Sequence, residues 1–282
     1  MTKRLIAALS GLSILAFLVV WAVVHYGFIY IGGRGFEIVE TVQKPVSVPV
    51  GDAKRVRMAL HMVYGDLQLG PGADVLLSGS TRYNVQEFAP HVLYEEDGDH
   101  GRLLIDHLMG ADNTRLINRS GRVSEWQLAF NDHLPIEELE VVVALGSGHL
   151  DLRGIDLNRG TLALLAGDFV VDLRGDWAQD SMMEIDGLTG AITVLLPGET
   201  GTIITVNDGP GQLDVTGLTA LGEFPSGIAA RFAQEPGVEN PIEIDEDDLH
   251  YANSAFGQSP TILYLQIGHA FTDLNLVAEP RE

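Results

Sequence analysis

The sequence contains no cysteine and few basic residues. Its 282 residues include 17 lysines and arginines against 39 aspartates and glutamates, a formal net charge of −22. Without cysteine the chain cannot form disulfides, thiolate metal sites, a thiol nucleophile or a lipid-modified cysteine anchor. An acidic surface also repels the phosphates of nucleic acid, which proteins bind through lysine and arginine. The composition therefore excludes nucleic-acid binding and leaves packing as the source of stability.

Sequence signatures of catalysis are also missing. The chain has no G-x-S-x-G, G-x-G-x-x-G or H-E-x-x-H motif, and its nine histidines are scattered. Two acid-rich segments, 95–100 and 243–250, do not match the spaced ligands of a calcium loop. We interpret both segments as solvated turns. The sequence thus predicts no enzymatic activity, no cofactor and no metal site.

The first apolar run is long enough to cross a bilayer. Residues 5–24 carry no charge, and as a helix they would span about 30 Å. Lys3 and Arg4 precede the run, and Trp21 and Tyr26 lie at its far end, where aromatic rings favour the membrane interface. A cleaved signal peptide is the alternative, but the run is long and no small-x-small cleavage site follows it. We predict an uncleaved single-pass anchor in the cell membrane, with a cytoplasmic N-terminus and an extracytoplasmic C-terminal domain.

A repeated phrase sets a regular spacing in the second half of the chain. LDLRG occupies residues 150–154 and VDLRG occupies 171–175, and apolar pairs recur on the same 21-residue interval at 192/194 and 213/215. A second set of pairs recurs from 141/143 to 204/206. An apolar residue at every second position is typical of a strand with one buried face. The fixed period over four turns favours a β-solenoid over a sandwich of short hairpins.

The polar residues inside this repeat are predicted to form one outward-facing row. The row comprises Asp151, Asp172, Thr193 and Asp214, with Arg153 and Arg174 two residues along from the first two aspartates. Neighbouring coils lie about 4.8 Å apart, so like charges in the row repel and the arginines offset that repulsion. We interpret the row as a solvated charge ladder. The alternative is a row of carboxylates that binds or cleaves a glycan.

The rest of the chain suggests a division into four parts. Residues 56–74 repeat the pattern of residues 139–157, the acidic segment 95–101 predicts a hairpin turn, and residues 261–277 predict paired strands. The predicted parts are 1–35 (cytoplasmic tip, anchor and exit loop), 36–110 (N-terminal β-region), 111–125 (linker) and 126–282 (β-solenoid with repeats of about 21 residues and a C-terminal cap).

Several of these segments resemble a known family. The G-x-L-x-L phrase after a β-run, residues 133–157 and residues 190–201 (GAITVLLPGETG) resemble the toastrack family of bacterial envelope proteins. That family includes the extracytoplasmic domain of LiaF-type regulators of the cell-wall stress response. The likeness covers roughly residues 50–108 and 126–277. It implies an all-β, single-stranded-coil β-solenoid without enzymatic activity, and roles in envelope stress or beside transporters. LiaF-type regulators have several membrane helices where this chain has one predicted helix, so the resemblance does not by itself imply direct control of a sensor kinase through such helices.

These observations together predict a non-enzymatic, membrane-anchored protein whose extracytoplasmic β-solenoid acts by protein–protein contacts. Envelope-stress sensing or regulation is one candidate role. The expected partners are the membrane, envelope or membrane proteins, and a second copy of the chain through coil stacking. The alternative function is a glycan-binding or carbohydrate-active module that uses the row of Asp151, Asp172 and Asp214.

Overall fold

The chain is mostly β, as predicted. In the computed structural model of the protein, the residues that the structure describes are 38–107, 121–207, 211–232, 244–245, 247–268 and 271–280. They form two sheets, of nine and ten strands. The predicted anchor at residues 5–24 lies outside these ranges. Within them, no helix is long and apolar enough to span a bilayer.

The strands are short and follow one another closely along the chain. In chain order they are β1 (Ile38–Val48), β2 (Arg55–Met62), β3 (Gly65–Pro71), β4 (Leu77–Val85), β5 (Pro90–Asp97), β6 (His100–His107), β7 (Ser124–Phe130), β8 (Ile136–Val143), β9 (Gly146–Asp151), β10 (Leu157–Leu164), β11 (Gly167–Asp172), β12 (Ser181–Asp186), β13 (Ala191–Leu196), β14 (Gly201–Val206), β15 (Gln212–Thr216), β16 (Leu218–Leu221), β17 (Leu249–Asn253), β18 (Ile262–Ile267) and β19 (Asp273–Ala278). A 3-10 turn (Gln86–Phe88) and one α-helix, α1 (Ser226–Phe232), complete the described elements.

Successive strands from β8 to β15 alternate between the two sheets. The nine-stranded sheet has the order β1-β4-β7-β3-β9-β11-β13-β19-β15, and the ten-stranded sheet has the order β16-β17-β14-β18-β12-β10-β8-β2-β6-β5. Each coil therefore contributes two strands, one to each sheet, and not the single strand that the family resemblance implied. Parallel pairing joins β8 to β10 and β9 to β11. The architecture is two stacked sheets of mixed, largely parallel strands.

The predicted repeat interval holds for one step and then lengthens. Leu162 lies opposite Val141 and Val171 lies opposite Leu150, as that interval requires. The next partners are Ile185 and Val194, each two positions later in the chain than the same interval would place them. The prediction of a uniform period is therefore wrong. Because side chains alternate with a period of two, a shift of two residues keeps the same side chains facing inward.

Two late strands interrupt the sequential order of coils. β19 lies between β13 and β15, with Leu276 opposite both Val194 and Val215. β18 likewise lies between β12 and β14. The predicted strands within 261–277 are present, but their predicted position as a terminal cap is wrong. They fill a coil inside the stack.

The N-terminal strands belong to the same two sheets. β2 pairs in parallel with β8, and β3 pairs in parallel with β9, so the similar segments 56–74 and 139–157 stack on each other. β7 begins at Ser124, within the predicted linker 111–125, whose residues 111–120 lie outside the described ranges. The predicted regions 36–110 and 126–282 thus share continuous sheets. The predicted acidic hairpin joins β5 to β6, and Gly98 supplies its positive φ of 65°.

The core lies between the two sheets and is built from the alternating aliphatic residues. In β8, Leu139, Val141 and Val143 are at most 1% exposed. Leu150 and Leu173 of the facing sheet are fully buried. Burying such side chains contributes about 1.5–3 kcal/mol each relative to leaving them in water. The inward face predicted from the period-two pattern is therefore the buried one.

A column of glycines forms the sharp bend between the sheets. Gly65, Gly146, Gly167 and Gly190 stack over one another at the same corner of successive coils. A Cβ placed on Gly167 would lie 1.6 Å from the carbonyl oxygen of Gly146, and one on Gly190 would lie 1.9 Å from that of Gly167. The neighbouring backbones approach too closely for any side chain. Glycine at this corner therefore permits the coils to stack at sheet spacing.

We predict that Leu173→Ala and Val194→Ala each destabilise the fold, because both side chains are fully buried in the core. For Leu173→Ala the expected cost is about 2–5 kcal/mol of unfolding free energy. Urea unfolding of the purified chain measures the effect. Leu188→Ala is the matched control, because that side chain is 40% exposed. Wild-type stability of both core variants would contradict the assigned inward face.

We predict that Gly190→Ala destabilises more than Gly72→Ala. Both glycines have a φ of 107°, so an alanine is strained at either position, but a Cβ at Gly72 meets nothing within 4 Å. Overpacking against the Gly167 backbone should add about 2 kcal/mol to the shared strain. Thermal and urea unfolding of the two variants measure the difference. Equal losses would show that the column is not sterically required.

Candidate functional site

The repeated DLRG phrases form two stacked ion pairs. Asp151 at the end of β9 lies directly opposite Asp172 at the end of β11. The Arg153 guanidinium donates to both carboxylate oxygens of Asp151, at 2.8 and 2.7 Å. Arg174 repeats this geometry on Asp172 at 2.8 and 2.7 Å. The repeat in sequence is therefore a repeat of one bidentate arginine–carboxylate pair.

These pairs are linked to each other and to a third coil. The Nε of Arg153 is 3.8 Å from Oδ2 of Asp172, and Arg174 Nη1 donates to Glu279 Oε1 at 3.2 Å. Glu279 directly follows β19, which stacks beyond β13. We call Asp151, Arg153, Asp172, Arg174 and Glu279 the arginine clamp. The clamp fastens the late strand β19 to the coils of β9 and β11.

The predicted solvated ladder is wrong at Asp172. Its side chain is only 3% exposed, against 19% for Asp151. Leu195, and not Thr193, lies opposite Asp172, because the step between these coils is two positions longer than predicted. An apolar neighbour on one side and two guanidinium groups over the carboxylate remove Asp172 from water. The structure therefore buries a charge that the sequence placed on the surface.

Asp214 does not belong to the same row. It lies opposite Asn275 in β19, and Asn275 lies opposite Thr193, so these three residues form a different row. Asp214 is exposed, and its carboxylate accepts a hydrogen bond from Gln212 at 2.9 Å. Insertion of β19 and the longer step between coils separate it from Asp172. The predicted row of three aspartates is thus split.

The arginine clamp is poorly suited to acid–base chemistry. Hydrogen bonds from Arg153 hold the pKa of Asp151 below its ordinary value, and hydrogen bonds to Asp172 raise the pKa of Arg174. These shifts favour ionised, paired groups, whereas a general acid must hold a proton near the working pH. Trp177 is 4% exposed and donates its indole N–H to Leu173 O at 2.8 Å. Its ring therefore packs at a coil corner and offers no platform for a sugar.

A polar groove crosses the outer face of the ten-stranded sheet. Its volume is about 730 Å³. Glu138 of β8 and Arg159 of β10 lie in register on its floor, with Arg57 of β2 and Met182 of β12 as the next residues on either side. The end of α1 forms one wall with Arg231 and Phe232. We call this concavity the sheet groove.

Helix α1 forms the wall because it packs on the outer face of the sheet. Ile228 and Phe232 contact an apolar patch that includes Met182 and Tyr264. Arg231 Nη2 donates to Asp180 Oδ1 at 2.7 Å, which ties the helix to the turn between β11 and β12. Packing and one ion pair therefore hold the wall of the sheet groove in place.

Charge at the opposite end of the sheet groove is concentrated around Glu137. Arg57 Nε donates to its carboxylate at 3.1 Å, Arg55 at 3.4 Å, and His100 Nδ1 lies 3.4 Å away. Burial alone would raise the pKa of Glu137. The hydrogen bond from Arg57 and the charge of His100 outweigh burial and hold that pKa below its ordinary value. Two arginines thus share one carboxylate at this end.

Sequence reasoning missed the sheet groove. Arg57 and Arg159 lie far apart in the chain, and only stacking of β2, β8 and β10 brings them to one face. The alternation of side chains in β2 and β10 could have placed each arginine on the outward face of its strand. No local signal indicates that the two strands lie in the same sheet. Within the described ranges, no group of three or more histidine, aspartate and glutamate side chains could hold a metal ion.

A buried histidine was also missed. His107 is 3% exposed; its Nδ1 accepts from the Val63 N–H at 3.3 Å, and its Nε2 lies 3.4 Å from Ser124 Oγ. Its ring stacks on Phe88 and meets Trp126 edge-on. Burial lowers its pKa to about 3, so the ring is neutral. The alternation Leu103, Ile105, His107 in β6 was the signal, since it places the histidine on the inward face.

This architecture and the match to a family model show which class of protein the chain belongs to. The chain is a two-sheet, stacked-coil β protein, and residues 37–195 match the family model described as the N-terminal domain of toast_rack, DUF2154. The match covers more than half of the chain, which therefore belongs to this family. The predicted toastrack resemblance is confirmed. No curated protein sequence matches the chain.

Two solved structures are similar to the chain to different degrees. A candidate cell adhesion protein from Clostridium sporogenes is 21% identical with a TM-score of 0.70, covering 85% of this chain and 100% of that one. A candidate adhesin from Bacteroides fragilis is 7% identical with a TM-score of 0.33, covering 88% of this chain and 100% of that one. The first of these likenesses supports the fold.

We predict that Asp172→Asn destabilises the fold, because it leaves two guanidinium groups beside a buried, uncharged side chain. Arg174 is 35% exposed, so the expected loss is about 2 kcal/mol, below that of a fully buried pair. Asp214→Asn is the matched control and should change the unfolding free energy by less than about 0.5 kcal/mol. Urea unfolding at pH 7.5 measures both. Similar losses of unfolding free energy in the two variants would contradict the structural role of the arginine clamp.

We predict that His107 makes the fold sensitive to acid. Its pKa is about 6.5 in an unfolded chain and about 3 in the fold, so unfolding takes up a proton between these values. Stability is fully present above pH 6.5 and is lost as the pH falls, by about 1.4 kcal/mol between pH 7.5 and 5.5. His107→Gln removes this dependence. The difference in unfolding free energy between wild type and His107→Gln should therefore be smaller at pH 5.5 than at pH 7.5. The same difference at both pH values would refute the prediction.

Proposed function

We propose that the protein is a non-enzymatic, membrane-anchored component of the cell envelope whose stacked-coil domain binds another protein. The observation that carries the proposal is the sheet groove, a concavity of about 730 Å³ on the ten-stranded sheet. Some of its arginines pair with carboxylates, as Arg57 does with Glu137 and Arg231 with Asp180, and its described lining includes no serine, threonine or tyrosine nucleophile. A recognition surface needs such a shaped and charged face, and it needs no reacting group.

The location of the protein is part of the same proposal. The predicted anchor at residues 5–24 would hold the domain at the membrane, and the family resemblance implies an envelope protein. The fold is shared with a candidate cell adhesion protein. Contact with another envelope protein, including one that reports envelope stress, is consistent with these features.

The face of the ten-stranded sheet is a better binding surface than the end of the stack that the edge strands β1 and β5 form. The edge strand β1 carries Lys44 and Pro45, and its pairing with β4 is irregular between Ile38 and Val42. The other edge strand, β5, ends in Glu95, Glu96 and Asp97. Proline, charge and irregular pairing protect an edge from accepting a further strand. We therefore propose face contact in place of coil stacking at this end.

Crosslinking in cells tests the proposal. A photo-reactive amino acid replaces Glu138, which is exposed in the sheet groove, in the full-length chain. The matched control replaces Gln68, which is exposed on the nine-stranded sheet. We expect one recurrent envelope protein, identified by mass spectrometry, to be captured from position 138 and not from position 68.

Two outcomes would overturn the proposal. Capture of the same proteins from both positions would show that no face is selective. Turnover of an envelope substrate by the purified full-length chain, lost on substitution within the sheet groove, would show that the protein is an enzyme.

A further inference from the structure

The sheet groove reverses the charge of the molecule. Five of the 17 basic residues of the chain line it, against four of the 39 acidic residues, although the chain carries −22 overall. The basic residues are Lys54, Arg55, Arg57, Arg159 and Arg231, and the acidic residues are Glu137, Glu138, Asp156 and Asp180. The groove is thus net positive on an acidic surface. Such a local reversal favours an anionic group in the groove and disfavours one elsewhere.

Part of this positive charge is not neutralised internally. Among the described residues, Lys54 and Arg159 take part in no ion pair, while Arg55 and Arg57 share the single carboxylate of Glu137. Arg231 is the exception, since Asp180 pairs with it. An arginine without a partner is a bidentate site for a carboxylate.

The spacing of the two central arginines is fixed by the sheet. Arg57, Glu138 and Arg159 lie in register on the adjacent strands β2, β8 and β10. Because neighbouring strands are about 4.8 Å apart, Arg57 and Arg159 begin about 10 Å apart, with a carboxylate between them. A polyproline II chain repeats every three residues and rises about 9.3 Å in that interval. Its side chains at i and i+3 therefore match this spacing.

We propose that the sheet groove binds an acidic segment of a partner protein in the polyproline II conformation. Carboxylates at positions i and i+3 pair with Arg57 and Arg159, and the segment runs across the strands. Glu138 faces the two intervening residues and excludes a carboxylate there. Met182 and Phe232 supply apolar contact at the end of the groove near α1. This inference rests on the proposed function and names the chemistry of its partner.

A defined peptide tests the inference. The full-length chain in nanodiscs of uncharged lipid is titrated against fluorescein-labelled (Glu-Pro-Pro)₄, and binding is followed by anisotropy. The controls are (Gln-Pro-Pro)₄ and a peptide of the same composition with its four glutamates contiguous. We expect binding of the spaced acidic peptide, weakened by added salt, and at least fivefold weaker binding of both controls.

Variants then locate the contact. Arg159→Gln should weaken binding of (Glu-Pro-Pro)₄ about fivefold to tenfold, the loss of one charged contact. Arg82→Gln is the matched control, because Arg82 is an exposed arginine on the other sheet. It should change binding less than twofold. Equal losses for the two variants would show general attraction and overturn the inference.

Other results separate this inference from the proposed function. If inorganic polyphosphate binds and the peptide does not, the groove takes a phosphate polymer and the inference is wrong. If neither binds while position 138 still captures one envelope protein in cells, the inference fails and the proposed function stands. If capture at position 138 is lost as well, both fail. Equal binding of the spaced and contiguous peptides would contradict the polyproline II register.

Discussion

Parallel hydrogen bonding joins each coil to the next at a spacing of about 4.8 Å, and the other features of the fold follow from that spacing. At the bend it brings the backbones of Gly146, Gly167 and Gly190 so close that no Cβ fits. In the core it stacks Val141, Leu162 and Ile185 over one another. On the outer faces it places like residues of neighbouring coils side by side. Repeated charge must then be paired, which the DLRG phrases achieve.

The insertion of β18 and β19 gives the arginine clamp its importance. These strands come from the end of the chain, and β19 is held in the sheet by main-chain pairing with β13 and β15 and by burial of Leu274 and Leu276 in the core. Arg174 connects Asp172 to Glu279, beyond β19, and so adds a side-chain link across the inserted coil. Closing contacts over such long sequence separations costs chain entropy. The buried carboxylate of Asp172 thus pairs with Arg174 of its own repeat, and Arg174 also binds Glu279 from the distant end of the chain.

The two faces of the stack differ in chemistry. The nine-stranded sheet carries the arginine clamp, in which each charge is satisfied internally. The ten-stranded sheet carries the sheet groove, in which Lys54 and Arg159 lack ion-pair partners among the described residues. This face, with unsatisfied charge and a concave shape, is therefore the one for which we propose binding. This contrast, more than the fold, supports a recognition role, because one fold serves many functions.

The alternation of apolar residues was sufficient to predict the β class and the inward faces, because a period of two is a local property of each strand. It also placed the arginines of the DLRG phrases beside their aspartates. The sequence did not indicate that β19 would lie between β13 and β15, since parallel pairing leaves no local mark of which coil is the neighbour. That long-range choice helped to separate Asp214 from Asp172, while the longer step between β11 and β13 placed Leu195 opposite the buried carboxylate. The stacking of coils, distant in sequence, likewise brought Arg57 and Arg159 to one face. Strand identity was therefore encoded locally, while charge burial and the candidate site depended on tertiary packing.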